Sequence, residues 1–286
     1  MMRRLGGKEV SDEIVQNLKP AVDALKASGV TPLLGVLRVG EREDDLAYER
    51  GLLKKFRAAE ADVRVNTLPA DCTQEQLDRL FDEMNEDDGI HGILVFRPLP
   101  SHLSDEHMIA AIDPGKDSDF MDIRNMSGVL SGKRDSAAPC TAEAVISLLR
   151  HYGIELRGRK AVVLGRSLVI GKPAALMLIT ENATVTVCHT KTEDIRKECR
   201  AADIVVACCG VAKMVTADYV REGQTVVDVG MNVDSDGKLC GDVDYDGVAP
   251  IVDAITPVPG GVGSVTTSIL LKHVVDNCVR QSASKR

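Results

Sequence analysis

The feature that most constrains this chain is a repeated exchange between short, wholly apolar runs and longer stretches of helical period. Leu33–Val39, Gly92–Phe96 (GILVF), 161–165 (AVVLG), 203–210 (DIVVACCG) and 225–230 (TVVDVG) show little of the polar alternation of a half-solvated strand. Such strands must be covered on both faces, and the stretches between them supply helices to do it. The expected fold is therefore α/β with mostly parallel sheets. Asp62–Leu68 and 184–189 (TVTVCH) read as further strands. Helices are expected over 8–27 with an interruption at Pro20, over 45–60, over Thr73–Glu86, from Thr141 to about Tyr152, and near Pro173–Thr180. Others fall at 192–201, briefly around 216–221, and finally at Thr267–Arg280. Thr73 with Gln76 reads as a capping box.

Residues 114–139 break this rhythm with Gly, Asp, Ser and Pro, as a long connection would. Two α/β domains follow, in keeping with 286 residues. The first covers 1–140 and regains the last helix, 267–286, which needs a surface for its Ile/Leu/Val face. The second covers 141–266.

Composition narrows the function. Aromatics are 3% with no Trp, so Leu, Val, Ile and Ala must build the core. A net charge of −8 without a basic patch argues against nucleic-acid binding. No apolar run reaches the ~18 residues of a membrane span. No Cys/His spacing suggests a metal. No apolar segment follows the opening arginines, and Cys188, Cys208 and Cys209 sit in apolar runs where thiols behave as small hydrophobes. A reduced, cytoplasmic protein is expected.

Gly165-Arg166-Ser167-Leu168-Val169-Ile170-Gly171-Lys172-Pro173 leaves a strand and opens a helix. A dinucleotide needs such a turn, with glycine at the sharp bend and helix N-terminal amides facing the pyrophosphate. The second strand of this half ends in Cys188-His189-Thr190-Lys191, without the carboxylate that would meet a free ribose hydroxyl. With Arg166 in the first loop, a 2′-phosphate fits better: NADP is favoured, NAD the alternative. Cys209-Gly210 and Gly230-Met231 end two more strands on the same side.

GRSLVIGKP, TVTVCHTKT, DVGMN, GDVD and above all ITPVPGGVGSVT resemble the methylenetetrahydrofolate dehydrogenase/cyclohydrolase (FolD) family. LRVG at 37–40, Tyr48, GILVFRPLP, KDSD at 116–119 and PCTAEAV at 139–145 extend the likeness over nearly the whole chain. The resemblance implies a homodimer whose subunits hold folate against nicotinamide in a cleft between a folate-binding catalytic domain and a Rossmann-like NAD(P)-binding domain. It implies oxidation of 5,10-methylene- to 5,10-methenyl-tetrahydrofolate, then hydrolysis to 10-formyl-tetrahydrofolate. Cofactor contacts would fall on Gly165, Arg166, Ser167, Thr190 and Met231, joined by the strand ends Cys209, Gly210 and Gly230. Folate contacts would fall on Tyr48, Leu52, Val95, Phe96, Arg97, Asp119 and the loop Pro259, Gly260, Gly261, Val262 and Gly263, with Tyr48 and Asp119 as the catalytic pair.

The chain departs from the family at four places, three of them at one catalytic corner. The pattern Tyr-x-x-x-Lys places both side chains on one helix face, but the fourth residue after Tyr48 is Leu52. The family's Gln-Leu-Pro-Leu-Pro is Phe96-Arg97-Pro98-Leu99-Pro100, its Asp-Gly is Asp119-Phe120, and its Pro-Met-Thr is Ser264-Val265-Thr266. Hydrolysis of the methenyl cation needs a proton carrier, and neither Leu52 nor Phe96 is one. The expectation is a dehydrogenase with weak or lost cyclohydrolase activity that feeds a separate cyclohydrolase. The alternatives are a bifunctional enzyme with a relocated base (Lys54, Lys55 or Arg97), a dehydrogenase of another substrate, and a non-catalytic nucleotide- or folate-binding paralogue.

Overall fold

The computed structural model describes residues 2–133 and 137–284, so part of the expected connection, 134–136, lies outside the described residues. Two compact units emerge. One comprises the chain up to Glu13 together with Ser127–Ile269; the other comprises Ile14–Met126 and the chain from Leu270 onward. The division differs from the expected 1–140 plus 267–286 chiefly at two places: the chain up to Glu13 and the stretch 127–140 both fall in the other unit. Arg3–Arg4 pairs in parallel with Ala254–Ile255, and the Leu5 amide donates to the Ile255 carbonyl at 2.8 Å. Two charged residues give no apolar signal, so this edge strand is invisible to a hydrophobicity reading.

The Ile14–Met126 unit holds a three-stranded parallel sheet in the order Asp62–Leu68, Leu33–Val39, Gly92–Val95. The central strand is buried from Leu34 to Val39, as an all-apolar run requires. Leu37, Leu77, Phe81, Met84, Ile90, Ile93 and Val95 form one cluster between this sheet and the helix Gln74–Glu86. That helix carries the expected capping box: the Gln76 amide donates to Thr73 Oγ1 at 3.3 Å, and the Thr73 amide to Gln76 Oε1 at 2.8 Å. The chain from Leu270 onward packs on the same sheet, since a Cβ on Gly92 would overlap Ser118 Oγ and press on Val274.

The other unit holds a six-stranded parallel sheet in the order Arg3–Arg4, Ala254–Ile255, Thr225–Asp228, Ile204–Ala207, Lys160–Leu164, Thr184–Cys188. The chain steps from Lys160–Leu164 first to one side and then to the other. Doubly wound sheets bind ligands at such a switch, outside the strand C-termini. The Gly165 loop leaves from this point.

Three helices differ from expectation. Gly7–Ala27 is unbroken, with Pro20 on its exposed face while Val10, Leu18, Val22 and Leu25 face inward. The last helix runs Val262–Ser284, beginning directly after Gly261. The stretch around 216–221 is only a 3-10 turn, Ala217–Tyr219.

Candidate active site

At the switch point, Gly165 has φ +128°, and a Cβ there would overlap the Cys208 carbonyl oxygen. A Cβ on Gly171 would overlap the carbonyl oxygen of Gly165 itself. The loop closes on its own backbone, which only glycine allows at its two ends. Ser167, standing where dinucleotide loops often have a second glycine, accepts from the amides of Ile170 (3.1 Å) and Gly171 (3.4 Å), closing the loop just ahead of the helix Gly171–Thr180. Arg166 is exposed beside it. At the end of the neighbouring strand, Thr190 is exposed, and His189 is fixed in a turn: its amide donates to Thr192 Oγ1 at 3.0 Å and its Nδ1 accepts from the Lys191 amide at 3.1 Å. The backbone cradle, a cation and hydroxyl-bearing residues fit a phosphorylated dinucleotide in donor set and in shape.

The next two strand ends are organised by side chains that sequence reading missed. Asp242 is fully buried. Its Oδ2 accepts from the amides of Cys209 (2.6 Å) and Gly210 (3.0 Å), and its Oδ1 accepts from the Val211 amide (3.0 Å) and Asn232 Nδ2 (2.9 Å). Asp228 in turn accepts from the amides of Gly230 (2.9 Å), Asp242 (2.9 Å) and Val243 (3.0 Å). Burial pushes the Asp228 carboxyl up to about 6, against the pull of those three amides. The motifs DVG and GDV each pair an aspartate with the other's glycine, the one signal that could have revealed them: a Cβ on Gly230 would overlap Asp242, and one on Gly241 would overlap Asp228. Met231 projects beyond, 69% exposed.

Cys208 and Cys209 are half-buried at the strand end rather than in the core, because the strand itself stops at Ala207; Cys188 is buried as expected. None of the eight cysteines is in a disulfide, and burial pushes Cys199, Cys208 and Cys209 up to about 12, so these remain thiols.

The loop 259–263 belongs to this same unit. Pro259, Gly260 and Gly263 are exposed while Gly261 and Val262 are buried. The Gly7 amide donates to the Gly260 carbonyl at 2.8 Å, and a Cβ on Gly263 would sit 3.5 Å from Met231 Cε. These expected folate contacts thus stand with the expected cofactor contacts.

Tyr48, Leu52, Val95, Phe96, Arg97 and Asp119 all lie in the other unit. Tyr48 is 39% exposed on the helix Glu43–Ala58 and lies against Phe96, ring centroids 5.5 Å apart and tilted by 54°. Leu52, one turn on, is 0% exposed, and Phe56 after it is equally buried. The position i+4 from Tyr48 is therefore apolar and dry. Arg38, within the LRVG motif, donates from Nε to Glu49 Oε2 at 2.8 Å and to the Gly40 carbonyl, pinning this helix to the end of the strand Leu33–Val39. Arg97 pairs with Asp105 at 3.4 Å, and Lys54 is exposed.

The KDSD turn is built inward. Lys116 Nζ donates to the carbonyls of Asn85 (2.6 Å) and Asp87 (2.9 Å). Asp117 accepts from the amides of Met121 (2.8 Å) and Asp122 (3.0 Å) and from Asn125 Nδ2 (2.6 Å). The Ser118 carbonyl meets His273 Nδ1 at 2.8 Å. Of the four, Asp119 alone is not buried. Phe120 follows at φ +58°, a conformation that costs a side-chain-bearing residue ~1–2 kcal/mol, with its ring 5.5 Å from that of His273. Among the described residues, no cluster of His, Cys, Asp or Glu could hold a metal ion, and no helix is long and apolar enough to cross a membrane.

Comparison with known proteins agrees over both units. Residues 5–119 match the family model for the tetrahydrofolate dehydrogenase/cyclohydrolase catalytic domain, and 139–282 match that for its NAD(P)-binding domain. A bifunctional protein FolD from Carboxydothermus hydrogenoformans is 50% identical over 280 residues, spanning 97% of this chain and 98% of the relative. The crystal structure of the bifunctional FolD of Campylobacter jejuni matches with a TM-score of 0.93 at 37% identity, covering 98% of this chain and 99% of that one. The Trypanosoma brucei FolD, solved with NADP and an inhibitor, matches with a TM-score of 0.91 at 37% identity over 98% of each chain. The chain belongs to the tetrahydrofolate dehydrogenase/cyclohydrolase family, and is an NAD(P)-dependent methylenetetrahydrofolate dehydrogenase/cyclohydrolase-type enzyme.

Proposed function

We propose that this chain oxidises 5,10-methylene-tetrahydrofolate to 5,10-methenyl-tetrahydrofolate with NADP+, and has little or no cyclohydrolase activity. The observation that carries the second part is the complete burial of Leu52 one helical turn from Tyr48, at the position where the family has lysine. Bound NADP+ supplies the hydride acceptor. The folate nitrogens stabilise the cation left on the bridge carbon, so the protein mainly has to hold and orient the substrate. Tyr48 offers a half-exposed ring to the pterin, backed by Phe96. Asp119, on a turn anchored by Lys116, Asp117 and Ser118, is suited to accept two N–H bonds from the amino-pyrimidine edge.

Water attack on the methenyl cation is a separate demand, and the residues at 52 and 96 can neither take nor give a proton. Arg97 is paired with Asp105, and a guanidinium carries donors only, so it is no substitute base. The methenyl product would pass to a separate cyclohydrolase. A cytoplasmic homodimer, the family's arrangement, belongs to the same reading.

With purified protein, methylene-tetrahydrofolate and NADP+, methenyl-tetrahydrofolate should accumulate in step with NADPH, and its hydrolysis should run no faster than in protein-free buffer. Formation of 10-formyl-tetrahydrofolate at the rate of NADPH would overturn the monofunctional reading. For the cofactor, Arg166→Ala should raise the KM for NADP+ by about 10- to 100-fold, the worth of a charge-assisted bond to phosphate, and change that for NAD+ by less than about twofold. Equal losses with both coenzymes would remove Arg166 from the 2′-phosphate.

A further inference from the structure

Asp242 and Asp228 are not among the residues expected to touch either ligand, yet they hold the strand ends that are. We propose that Asp242, itself fixed by Asp228, is a positioning residue that sets the two loops on which the dinucleotide rests. This inference rests on the reading that Cys209, Gly210, Gly230 and Met231 contact the cofactor.

The strands Ile204–Ala207 and Thr225–Asp228 run side by side, with Ala207 opposite Asp228. Beyond that pair the ladder ends, and each loop needs another anchor. Apolar packing does not provide it: Gly210 is exposed, and Val211 and Met231 are 51% and 69% exposed. Asp242 gathers three successive amides of the first loop, at Cys209, Gly210 and Val211, and the side-chain amide of Asn232 from the second. One carboxylate therefore joins the two loops at their base, where they leave the sheet, while the Lys213–Asp234 pair at 2.9 Å ties them farther out. All four partners donate, so the group must act purely as an acceptor. A carboxylate does this; an asparagine would turn an NH2 group toward an amide N–H.

Asp228 plays a matching part from the end of its strand. It takes the amides of Gly230, Asp242 and Val243, and its own amide donates to Thr256 Oγ1 at 2.7 Å. The relay runs from Thr256 through Asp228 and Asp242 to the loops. Holding two carboxylates so near each other in a buried place is costly, and the arrangement returns a fixed geometry at the surface where the ligand is read.

The test uses the full chain with Asp242→Asn and, separately, Asn232→Ala, which removes one donor and leaves the carboxylate in place. NADPH affinity is measured by fluorescence titration, folate KM by steady-state kinetics, and melting temperature in parallel. Asp242→Asn should weaken NADPH by about tenfold or more and move the folate KM by less than about twofold. Asn232→Ala should weaken NADPH by about three- to fivefold with a melting temperature within about 2 °C of the parent's. Should Asp242→Asn fail to fold, Asn232→Ala decides. Unchanged NADPH affinity in folded variants would overturn the proposal, as would a parallel rise in both KM values tracking lost stability, the mark of a merely structural role. Absence of NADPH binding by the parent protein would instead refute the cofactor site itself.

Discussion

Leu52→Lys alone is expected to destabilise the protein by about 3–5 kcal/mol without making it a hydrolase. The position is 0% exposed, and Phe56 on the next turn is equally buried. An ammonium placed there has its pKa lowered by desolvation, below the value of about 10.4 in the unfolded chain. The unfolded state then binds more protons, so the penalty is largest at low pH and shrinks as pH rises toward the unfolded value. Thermal melts should show Leu52→Lys on the order of 10 °C below the parent near neutral pH, and the gap should narrow by about pH 9.5. A gap independent of pH would mean that the lysine has reached solvent and is not in the corner at all.

Adding Phe96→Gln should reverse part of this. The glutamine carbonyl offers the ammonium an acceptor worth about 1–3 kcal/mol, in the space of the ring that now lies against Tyr48. The double variant should then hydrolyse methenyl-tetrahydrofolate about 100-fold faster than the parent, the scale of general acid–base catalysis. A well-folded double variant with no gain would shift responsibility to Phe120. Its ring stands where the family has glycine, in the left-handed conformation that suits glycine, and beside His273.

The parts that sequence reveals are those where physics leaves one residue type. Strands such as Lys160–Leu164, buried from Ala161 on, and Ile204–Ala207 are covered on both faces, so those positions must be apolar and can be read. Arg3–Arg4 lies at the sheet edge, where its side chains are exposed and carry no pattern. Pro20 reads as a break, yet the helix tolerates it on the exposed side. In the site, Gly165 and Gly171 are legible because no other residue fits. Asp228 and Asp242 are not, because composition cannot tell a buried aspartate from the many on the surface. Leu52 is the reverse case: as a residue it is an ordinary helix leucine, and only the Tyr-x-x-x-Lys pattern makes it informative. The structure adds that this position is fully buried.

Gly165→Ala and Gly171→Ala should each abolish measurable NADPH binding, for reasons that differ in kind. At Gly165 the added Cβ meets both a positive φ of +128° and the Cys208 carbonyl. The backbone term costs ~1–2 kcal/mol and the overlap ~1–3 kcal/mol, together about 2–5 kcal/mol. At Gly171 the obstacle is steric alone, the peptide between Gly165 and Arg166, so the loop must open to admit the methyl group. Gly153→Ala separates the two contributions. Its φ is +65°, but nothing lies within 4 Å of the added atom. That variant should lose only ~1 kcal/mol, with a melting temperature a few degrees lower, and bind NADPH as the parent does. If Gly171→Ala also bound NADPH normally, the loop would have to accommodate a side chain at its tightest point, and the closed turn could not be what the dinucleotide recognises.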